Sequence, residues 1–213
     1  MTTPGGLYAL TDPGLTPGER LLPAVEAAIR GGARLVQYRD KSKDAPRRLE
    51  EARALAELCR GHGVVFIVND DPTLAAIAGA DGVHLGKDDP DVISTRVRLG
   101  PRALIGVSCY DSLERAVAAA HAGADYVAFG SFHASGSKPD AVRAAPELLR
   151  QARRALPGIP LCAIGGITPA NGAALVEAGV DMLAVIRGVF AEADVTAAAR
   201  AYARLFDPPK KPS

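Results

Sequence analysis

The chain has 213 residues, of which 48% are hydrophobic and 23% are charged, so it can bury a sizeable core and is expected to fold as one globular domain. Its formal net charge of +1, with 5% aromatic residues and no Trp, argues against nucleic acid or an anionic membrane as a partner. Three widely spaced cysteines, and no apolar run near the roughly 20 residues of a spanning helix, indicate a cytoplasmic protein that is neither secreted nor membrane-inserted.

Eight short apolar runs rich in Val, Ile and Leu alternate with longer segments that place Ala, Leu and charged residues at helical spacing. The runs are nearly continuous in apolarity, which is typical of parallel strands covered on both faces. The predicted strands are Leu7–Asp12, Leu35–Asp40, Val64–Asp70, Gly82–Gly86, Leu104–Tyr110, Tyr126–Phe132, Leu161–Ile167 and Met182–Val189. This order predicts an α/β protein made of eight βα units.

A glycine-containing helix stop precedes every second predicted strand. Glycine just past a helix end supplies the left-handed residue that terminates the helix. The four copies are Gly31-Gly32-Ala33-Arg34, Ala78-Gly79-Ala80-Asp81, Ala122-Gly123-Ala124-Asp125 and Ala178-Gly179-Val180-Asp181. They recur every two βα units, which favours a single (β/α)₈ TIM barrel over residues 1–206 against a doubly wound open sheet. The proline-rich residues 207–213 are expected to form a flexible tail.

In such barrels the functional side chains lie at the carboxyl ends of the strands and in the loops that follow. Strand alternation puts Gln37, Arg39 and Lys41 on one side of the second strand, so two cations converge at the rim. Arginine as a fork and lysine as a point charge suit a pyrophosphate. The alternative is a solvated salt bridge among Arg39, Asp40 and Lys41.

Carboxylates follow the third and fourth predicted strands, at Asp70 and Asp71 and at Asp89. Two neighbouring strand ends can share one hard cation, and Mg²⁺ takes one or two protein carboxylates together with phosphate oxygens. The alternative is that Asp71 and Asp89 cap helices that open at the prolines following them. Capping is expected for Asp71, and at Asp89 it can coexist with metal binding.

Hydroxyls and glycines follow the later strands. Ser108 lies near the end of the fifth strand, where by itself it predicts no more than a loop serine. The loop after the sixth strand carries serines and Lys138, which together can bind an anion. After the seventh strand, Gly165 and Gly166 let backbone amides approach a phosphate, and the helix start at Thr168 adds its dipole.

None of the four histidines completes a catalytic triad or a zinc site in the sequence pattern. His84 lies within the fourth predicted strand, where packing in the barrel interior or against a helix is expected. His133 lies in the loop after the sixth strand, where it could contact a substrate.

Seven segments in register resemble the thiamine-phosphate synthase family, and they span Leu7 to about Phe190. The segments are Leu7-Tyr8-Ala9-Leu10-Thr11-Asp12, Gln37-Tyr38-Arg39-Asp40-Lys41, Asn69-Asp70, Gly79-Ala80-Asp81-Gly82-Val83-His84-Leu85-Gly86, Gly106-Val107-Ser108, the loop ending Ser137-Lys138, and Ala163-Ile164-Gly165-Gly166-Ile167. The resemblance implies a transferase that joins hydroxymethylpyrimidine diphosphate to a thiazole phosphate and releases pyrophosphate. It also implies that the C–O bond to diphosphate breaks first, leaving a pyrimidine-methyl cation that the thiazole nitrogen captures.

The resemblance also implies roles for individual residues toward two phosphorylated substrates and one Mg²⁺. The implied metal ligands are Asp70 and Asp89. The implied catalytic residues are Arg39, Lys41, Ser108 and Lys138, and Gln37, Tyr38, Asp40 and Asn69 join them around the pyrimidine diphosphate. The implied thiazole-phosphate residues are Ser135, Gly136, Ser137, Gly166, Ile186 and Arg187.

The chain departs from the family pattern at three positions. Ser135 and Ser137 stand where threonines are usual, and Arg187 stands where a small hydroxyl residue is more frequent, so its role toward phosphate is open. The nearest alternative function is the thiazole tautomerase branch, which is expected to place a histidine at the position of Ser131. A different class is a non-catalytic barrel that binds a phosphorylated metabolite, and the Ala-rich outer helices leave a homo-oligomer open.

Overall fold

The protein is a closed barrel of eight parallel strands in the order β1-β2-β3-β4-β5-β6-β7-β8. A computed structural model describes residues 3–133 and 144–207. The predicted (β/α)₈ barrel is therefore confirmed, and each strand pairs with its neighbours in the sequence until β8 closes on β1. Of the predicted tail, residues 208–213 lie outside the described residues.

The strands are short and the helices lie between them in the chain. The strands are β1 Gly6–Leu10, β2 Ala33–Tyr38, β3 Val65–Asn69, β4 Gly82–Leu85, β5 Leu104–Tyr110, β6 Tyr126–Phe129, β7 Leu161–Ile164 and β8 Met182–Val185. The helices are α1 Leu21–Arg30, α2 Ala45–His62, α3 Pro72–Ala78, α4 Val92–Leu99, α5 Leu113–His121, α6 Pro146–Ala155, α7 Pro169–Glu177, α8 Arg187–Phe190 and α9 Val195–Ala203. No helix in the described parts of the chain is long and apolar enough to cross a membrane.

Strand alternation divides the buried residues into two cores. Leu7 and Ala9 of β1 face the surrounding helices, whereas Tyr8 and Leu10 point into the barrel. The outer core is large and aliphatic, and the inner core also contains Tyr8, Tyr126 and Cys162. The barrel interior is therefore packed, as is usual for this architecture, but it contains polar groups.

The glycine repeat marks the amino-terminal face of the barrel, opposite the predicted site. Gly79 has a left-handed φ of 72° as it ends α3. The aspartate that follows the stop in three copies accepts an N–H from the first or second residue of an adjacent strand. Asp81 bonds Phe66 N at 2.8 Å, Asp125 bonds Ile105 N at 2.7 Å, and Asp181 bonds Leu161 N at 2.7 Å. The repeat thus combines a helix stop with a carboxylate that satisfies an otherwise unpaired strand end.

The last three strands end earlier than the sequence predicts. β6, β7 and β8 stop at Phe129, Ile164 and Val185, and the residues that follow leave the sheet. After β7 the chain turns through Gly165 and Gly166, whose φ angles of 104° and 61° do not continue a strand. Apolar residues in the loops, such as Phe132, extend the predicted runs because they pack onto the outer core.

Candidate active site

The predicted site residues gather at the carboxyl ends of β1 to β5. Lys41 Nζ lies 3.2 Å from Asp70 Oδ2, which joins the loop after β2 to the end of β3. Arg39 Nη1 lies 3.6 Å from Asp12 Oδ2, and the Arg39 amide donates to Thr11 Oγ1 at 3.0 Å. The two cations are therefore held at one rim, each beside a carboxylate.

Asp70 adopts a left-handed backbone conformation, with φ of 61°, which is uncommon outside glycine. Its amide donates to the carbonyl of His84 at 2.9 Å, so β4 holds the residue in this conformation. Asn69, the last residue of β3, precedes it at the same rim and is half-buried. Such strained residues concentrate at binding sites, where the surrounding structure over-determines them.

Asp89 does not cap a helix. The helix after β4 begins at Val92 and is capped by Asp91, so the alternative of a cap at Asp89 is wrong. Asp89 Oδ2 instead accepts the amide of Gly86 at 2.6 Å. Asp71 is a cap as expected, since its side chain accepts the amide of Leu74 at 2.9 Å.

Asp70 and Asp89 form a pair of carboxylates suited to a hard cation. Partial burial, together with the adjacent Asp70, raises the pKa of Asp89, although the Gly86 amide and Lys41 oppose this. A divalent cation would relieve the repulsion that raises it. No cluster of three or more His, Cys, Asp or Glu side chains suited to a metal occurs within residues 3–133 and 144–207. Two carboxylates fit Mg²⁺, which keeps its other positions for water and substrate oxygens.

A buried chain of hydrogen bonds crosses the barrel interior just below this rim. Gln37 Nε2 lies 2.7 Å from Tyr8 Oη, and Tyr8 Oη lies 2.9 Å from Tyr126 Oη. Tyr126 Oη lies 3.0 Å from His84 Nδ1, and His84 Nε2 lies 2.9 Å from Ser108 Oγ. The chain thus connects two predicted substrate residues, Gln37 on β2 and Ser108 on β5. We refer to these five side chains as the interior chain.

The three middle members of the interior chain were not predicted as site residues. Strand alternation gave the only available signal, because Tyr8, His84 and Tyr126 are polar residues at inward positions of apolar strands. Burial lowers the pKa of His84 to about 4, against the weaker effect of Asp70, and it raises the pKa of both tyrosines above the usual range. Every member is therefore uncharged near pH 7.

Tyr38 and Asp40 lie at the same level but direct their side chains outward, toward α2. Tyr38 Oη donates to Glu51 at 2.6 Å, and Arg47 Nη2 lies 2.6 Å from Asp40 Oδ2. Burial opposes the charge on Asp40, but hydrogen bonds from Ser42 and Arg47 outweigh it and lower the Asp40 pKa. The two residues line a cleft of about 310 Å³, and Arg39 lines the same cleft. The structure therefore places them as a brace for the loop that carries Lys41.

Part of the predicted monophosphate site surrounds the loop after β7. Gly165 and Gly166 both have positive φ angles. A side chain at Gly165 would also lack space, because its Cβ would overlap Ser131. Thr168 and Asn171 form a capping box at the start of α7. Ile186 is half-buried against the interior core, and Arg187 is exposed at the first residue of the short helix α8. The predicted residues Ser135, Gly136, Ser137 and Lys138 lie outside the described residues.

Comparison with known proteins gives the family. The family model described as thiamine monophosphate synthase matches residues 7–189. The chain belongs to the thiamine monophosphate synthase family. This match runs from the second residue of β1 to beyond the end of β8, and it covers every predicted site residue.

Individual members of the thiamine monophosphate synthase family are similar over almost the whole chain. Thiamine-phosphate synthase of Thiobacillus denitrificans is 55% identical over 206 residues, which cover 96% of each chain. Thiamine-phosphate synthase of Thioalkalivibrio sulfidiphilus is 53% identical over 202 residues, covering 95% of each. A solved structure, thiamine phosphate pyrophosphorylase from Pyrococcus furiosus, matches with a TM-score of 0.85 and 34% identity, covering 94% of each chain. The predicted family and enzyme class, a thiamine-phosphate synthase and hence a transferase, are confirmed.

Proposed function

We propose that the protein is an Mg²⁺-dependent enzyme that transfers hydroxymethylpyrimidine from its diphosphate to the nitrogen of a thiazole phosphate. The products are thiamine phosphate and pyrophosphate. The observation that carries this proposal is the convergence of the Asp70 and Asp89 carboxylates with Arg39 and Lys41 at one rim. A tautomerase would need no site for a diphosphate, and a metabolite-binding barrel would need no paired carboxylates.

The diphosphate is assigned to the rim between β2 and β5. Asp70 and Asp89 would hold Mg²⁺, which when bound supplies charge neutralisation for the departing diphosphate. Arg39 would bind it as a planar fork and Lys41 as a point charge. Ser108 would add a hydroxyl, and Gln37 and Asn69 would contact the pyrimidine. Lys138 is assigned to the same group on the resemblance alone.

The reaction on this assignment requires no protein nucleophile. The C–O bond between the pyrimidine methylene and the diphosphate breaks, and its electron pair leaves with the diphosphate oxygen. The thiazole nitrogen then forms the new C–N bond to that methylene. Arg39 and Lys41, held at the rim beside Asp12 and Asp70, would lower the barrier by stabilising the charge that develops on the leaving group. The three cysteines are buried, and burial raises the pKa of Cys59 and of Cys109 to about 12, so they supply no thiolate.

The thiazole phosphate is assigned to the loops after β6, β7 and β8. The amide of Gly166 suits a phosphate monoester. The Thr168 and Asn171 amides are already bonded within the capping box, so the start of α7 would contribute its dipole. Ser135, Gly136 and Ser137 would complete this site, and Ile186 would pack against the thiazole. Arg187 begins α8 with its side chain exposed, and its role toward the phosphate stays open.

Substitution of the carboxylates tests the proposal. In Asp70→Asn and in Asp89→Asn, pyrophosphate release should fall by roughly two orders of magnitude, because each variant loses a charge that holds the cation. The measurement is pyrophosphate release from both substrates during an Mg²⁺ titration. Asp71→Asn is the matched control, since asparagine also caps a helix and activity should be retained.

Two outcomes would contradict the proposal. Wild-type rates and Mg²⁺ dependence in both Asp70→Asn and Asp89→Asn would remove the metal assignment. Release of no pyrophosphate by the unmodified protein with both substrates and Mg²⁺ would favour the tautomerase. We also propose the cytoplasm as the compartment, in view of three unpaired cysteines, and a homo-oligomer stays a prediction.

A further inference from the structure

The interior chain links opposite walls of the barrel through groups that can each donate or accept. A hydrogen-bonded chain of this kind has two possible directions, and they present different groups to the substrate. We propose that Tyr8, Tyr126 and His84 are positioning residues that fix one direction, so that Ser108 presents an O–H donor and Gln37 presents a carbonyl acceptor to the site. The inference rests on the proposed function in assigning the diphosphate to the Ser108 side.

The direction begins at Gln37. Its Nε2 group lies 2.7 Å from Tyr8 Oη, and an amide nitrogen can only donate. Tyr8 therefore accepts from Gln37 on a lone pair. Within the described residues the other hydrogen-bond partner of Tyr8 Oη is Tyr126 Oη at 2.9 Å, so the buried Tyr8 O–H donates to Tyr126 because it would otherwise stay unpaired. The carbonyl oxygen of the Gln37 amide is thereby left for the site, where it can accept from an amino group on a heteroaromatic ring.

The direction of the hydrogen bonds continues from Tyr126 to His84. Tyr126 accepts from Tyr8 and so donates to His84 Nδ1 at 3.0 Å. Because Nδ1 accepts, a neutral imidazole must carry its proton on Nε2. That N–H then donates to Ser108 Oγ at 2.9 Å. Ser108 receives this bond on a lone pair and keeps its own proton for another acceptor.

The opposite direction fits the proposed ligand poorly. It would require Ser108 to donate to His84, His84 to carry its proton on Nδ1, and Gln37 to turn its carbonyl oxygen toward Tyr8. Ser108 would then offer the site only lone pairs, beside a substrate group that is itself an anionic acceptor. A donor at Ser108 suits a diphosphate, and a lone pair repels it.

The packing around the interior chain holds its members in place. Tyr8 is 1% exposed and Tyr126 is fully buried. The His84 and Tyr126 rings stack at a centroid distance of 5.5 Å with an angle of 29° between their planes. The Tyr126 ring occupies the space beside Gly106, where a Cβ would overlap it. The three rings cannot reorient without repacking the barrel interior, so the direction is built in before substrate binds.

Nitrogen NMR of the histidine ring tests the direction without any substrate. In protein labelled with ¹⁵N-histidine near pH 7, His84 is expected to show the neutral Nε2–H tautomer, with His84→Gln used to assign its signals. In Tyr126→Phe, which keeps the ring but removes the donor to Nδ1, the tautomer should shift toward Nδ1–H. Tyr202→Phe is the matched control for loss of a buried tyrosyl hydroxyl, because Tyr202 Oη donates to the carbonyl of Ile167 outside the interior chain. The His84 signals should not move in that control.

An Nδ1–H tautomer or an imidazolium in the unmodified protein would overturn the proposal. Because the spectrum is recorded without turnover, this outcome is distinct from failure of the proposed function, which would appear as a lack of pyrophosphate release. If Tyr126→Phe does not fold, Tyr8→Phe is the alternative variant, because it removes the O–H that donates to Tyr126 and so fixes the direction of the next bond. The tautomer of the unmodified protein decides the question even without a variant.

Kinetics then test whether the direction reaches the substrate. Tyr126→Phe is expected to lower kcat/KM for the pyrimidine diphosphate by roughly tenfold, as one lost hydrogen bond would. In a Ser108→Ala background the same change should have almost no further effect, because the chain would no longer end in a donor. Full additivity of the two losses would show that Tyr126 does not act through Ser108 and would reject the positioning role.

Discussion

Lys41 illustrates how a single exposed residue can matter for binding and little for stability. Its side chain is 62% exposed, and its ammonium lies 3.2 Å from the Asp70 carboxylate. An ion pair this accessible to water contributes little to folding. Its position beside both carboxylates, in contrast, sets the charge of the rim before a substrate arrives. The pair at Arg39 and Asp12 on the β1 side is less exposed, since the Arg39 side chain is 25% exposed.

Lys41→Gln should therefore separate binding from stability. We expect KM for the pyrimidine diphosphate to rise by roughly tenfold or more, because a charge-assisted contact to the diphosphate is lost. The free energy of unfolding should change by less than about 0.5 kcal/mol. Steady-state kinetics and urea denaturation measure the two effects. Lys43→Gln, two residues along in the same loop and also exposed, should leave both quantities unchanged. An equal loss of activity in the two variants would argue for a general charge effect and against a contact made by Lys41.

At the scale of single elements, the two loops that flank β7 show why glycine is required at one position and dispensable at another. Gly165 has a φ of 104°, and a side chain there would overlap Ser131 in the neighbouring loop. Gly158, at the opposite end of β7, has nothing within 4 Å of the position of a Cβ. The loop that is proposed to bind phosphate is thus held by close backbone packing and not by side-chain bonds alone.

Gly165→Ala is expected to cost about 1–3 kcal/mol of stability, from the unfavourable φ and the overlap. KM for the thiazole phosphate should also rise by roughly tenfold or more, since the loop must shift to admit the methyl group. Thermal unfolding and kinetics measure both effects. Gly158→Ala is the matched control and should be neutral or slightly stabilising, because it restricts only the unfolded chain. Tight thiazole-phosphate binding in Gly165→Ala would place the monophosphate elsewhere.

At the scale of the whole molecule, the barrel interior is a polar arrangement enclosed by apolar residues. Leu10, Leu35, Ile67 and Leu104 belong to the same buried cluster as Tyr8 and Tyr126 of the interior chain. An unpaired polar group there would be costly, so each member depends on its neighbours for a hydrogen bond. The hydrogen bonds that join distant strands of the closed barrel therefore depend on His84 being neutral.

The stability of the protein should consequently fall in mild acid. The folded-state pKa of His84 is about 4, below the ordinary histidine value of about 6.5, because burial disfavours the charged ring. Between these values the unfolded chain binds a proton that the folded protein does not, so stability decreases as the pH falls from 6.5 to 4. The His84 contribution lost at pH 5 should be roughly 2 kcal/mol.

Urea denaturation at pH 7 and at pH 5 measures this loss, and His84→Gln provides the comparison. Other titrating groups face His84 from β3, as Asp70, and from β6, as Tyr126, and they remain in the variant. The difference in unfolding free energy between the two proteins should therefore shift in favour of the variant at pH 5. A difference that is the same at both pH values would show that His84 is not held neutral by burial.

Much of the fold follows from the chain alone. Eight apolar runs with helices between them and a glycine stop before every second strand were enough to predict a closed parallel barrel, because these features depend on local conformation and on burial. The first strands were predicted to within two residues, whereas β6, β7 and β8 were extended into their loops. Local apolarity could not separate strand from loop there, since loop residues such as Phe132 are buried in the outer core just as strand residues are.

The site residues were predicted from the same alternation of side chains, but their partners were not. The sequence determined which polar groups end each strand, including Arg39, Lys41 and Asp70, because the carboxyl ends of parallel strands share one edge. Only the tertiary structure decided that Asp89 bonds Gly86 and caps no helix, and that Tyr38 and Asp40 turn toward α2. The interior chain likewise depends on contacts between β1, β2, β4, β5 and β6. Hydrogen bonds between residues as much as 118 positions apart arise only when the barrel closes, and no local pattern encodes them.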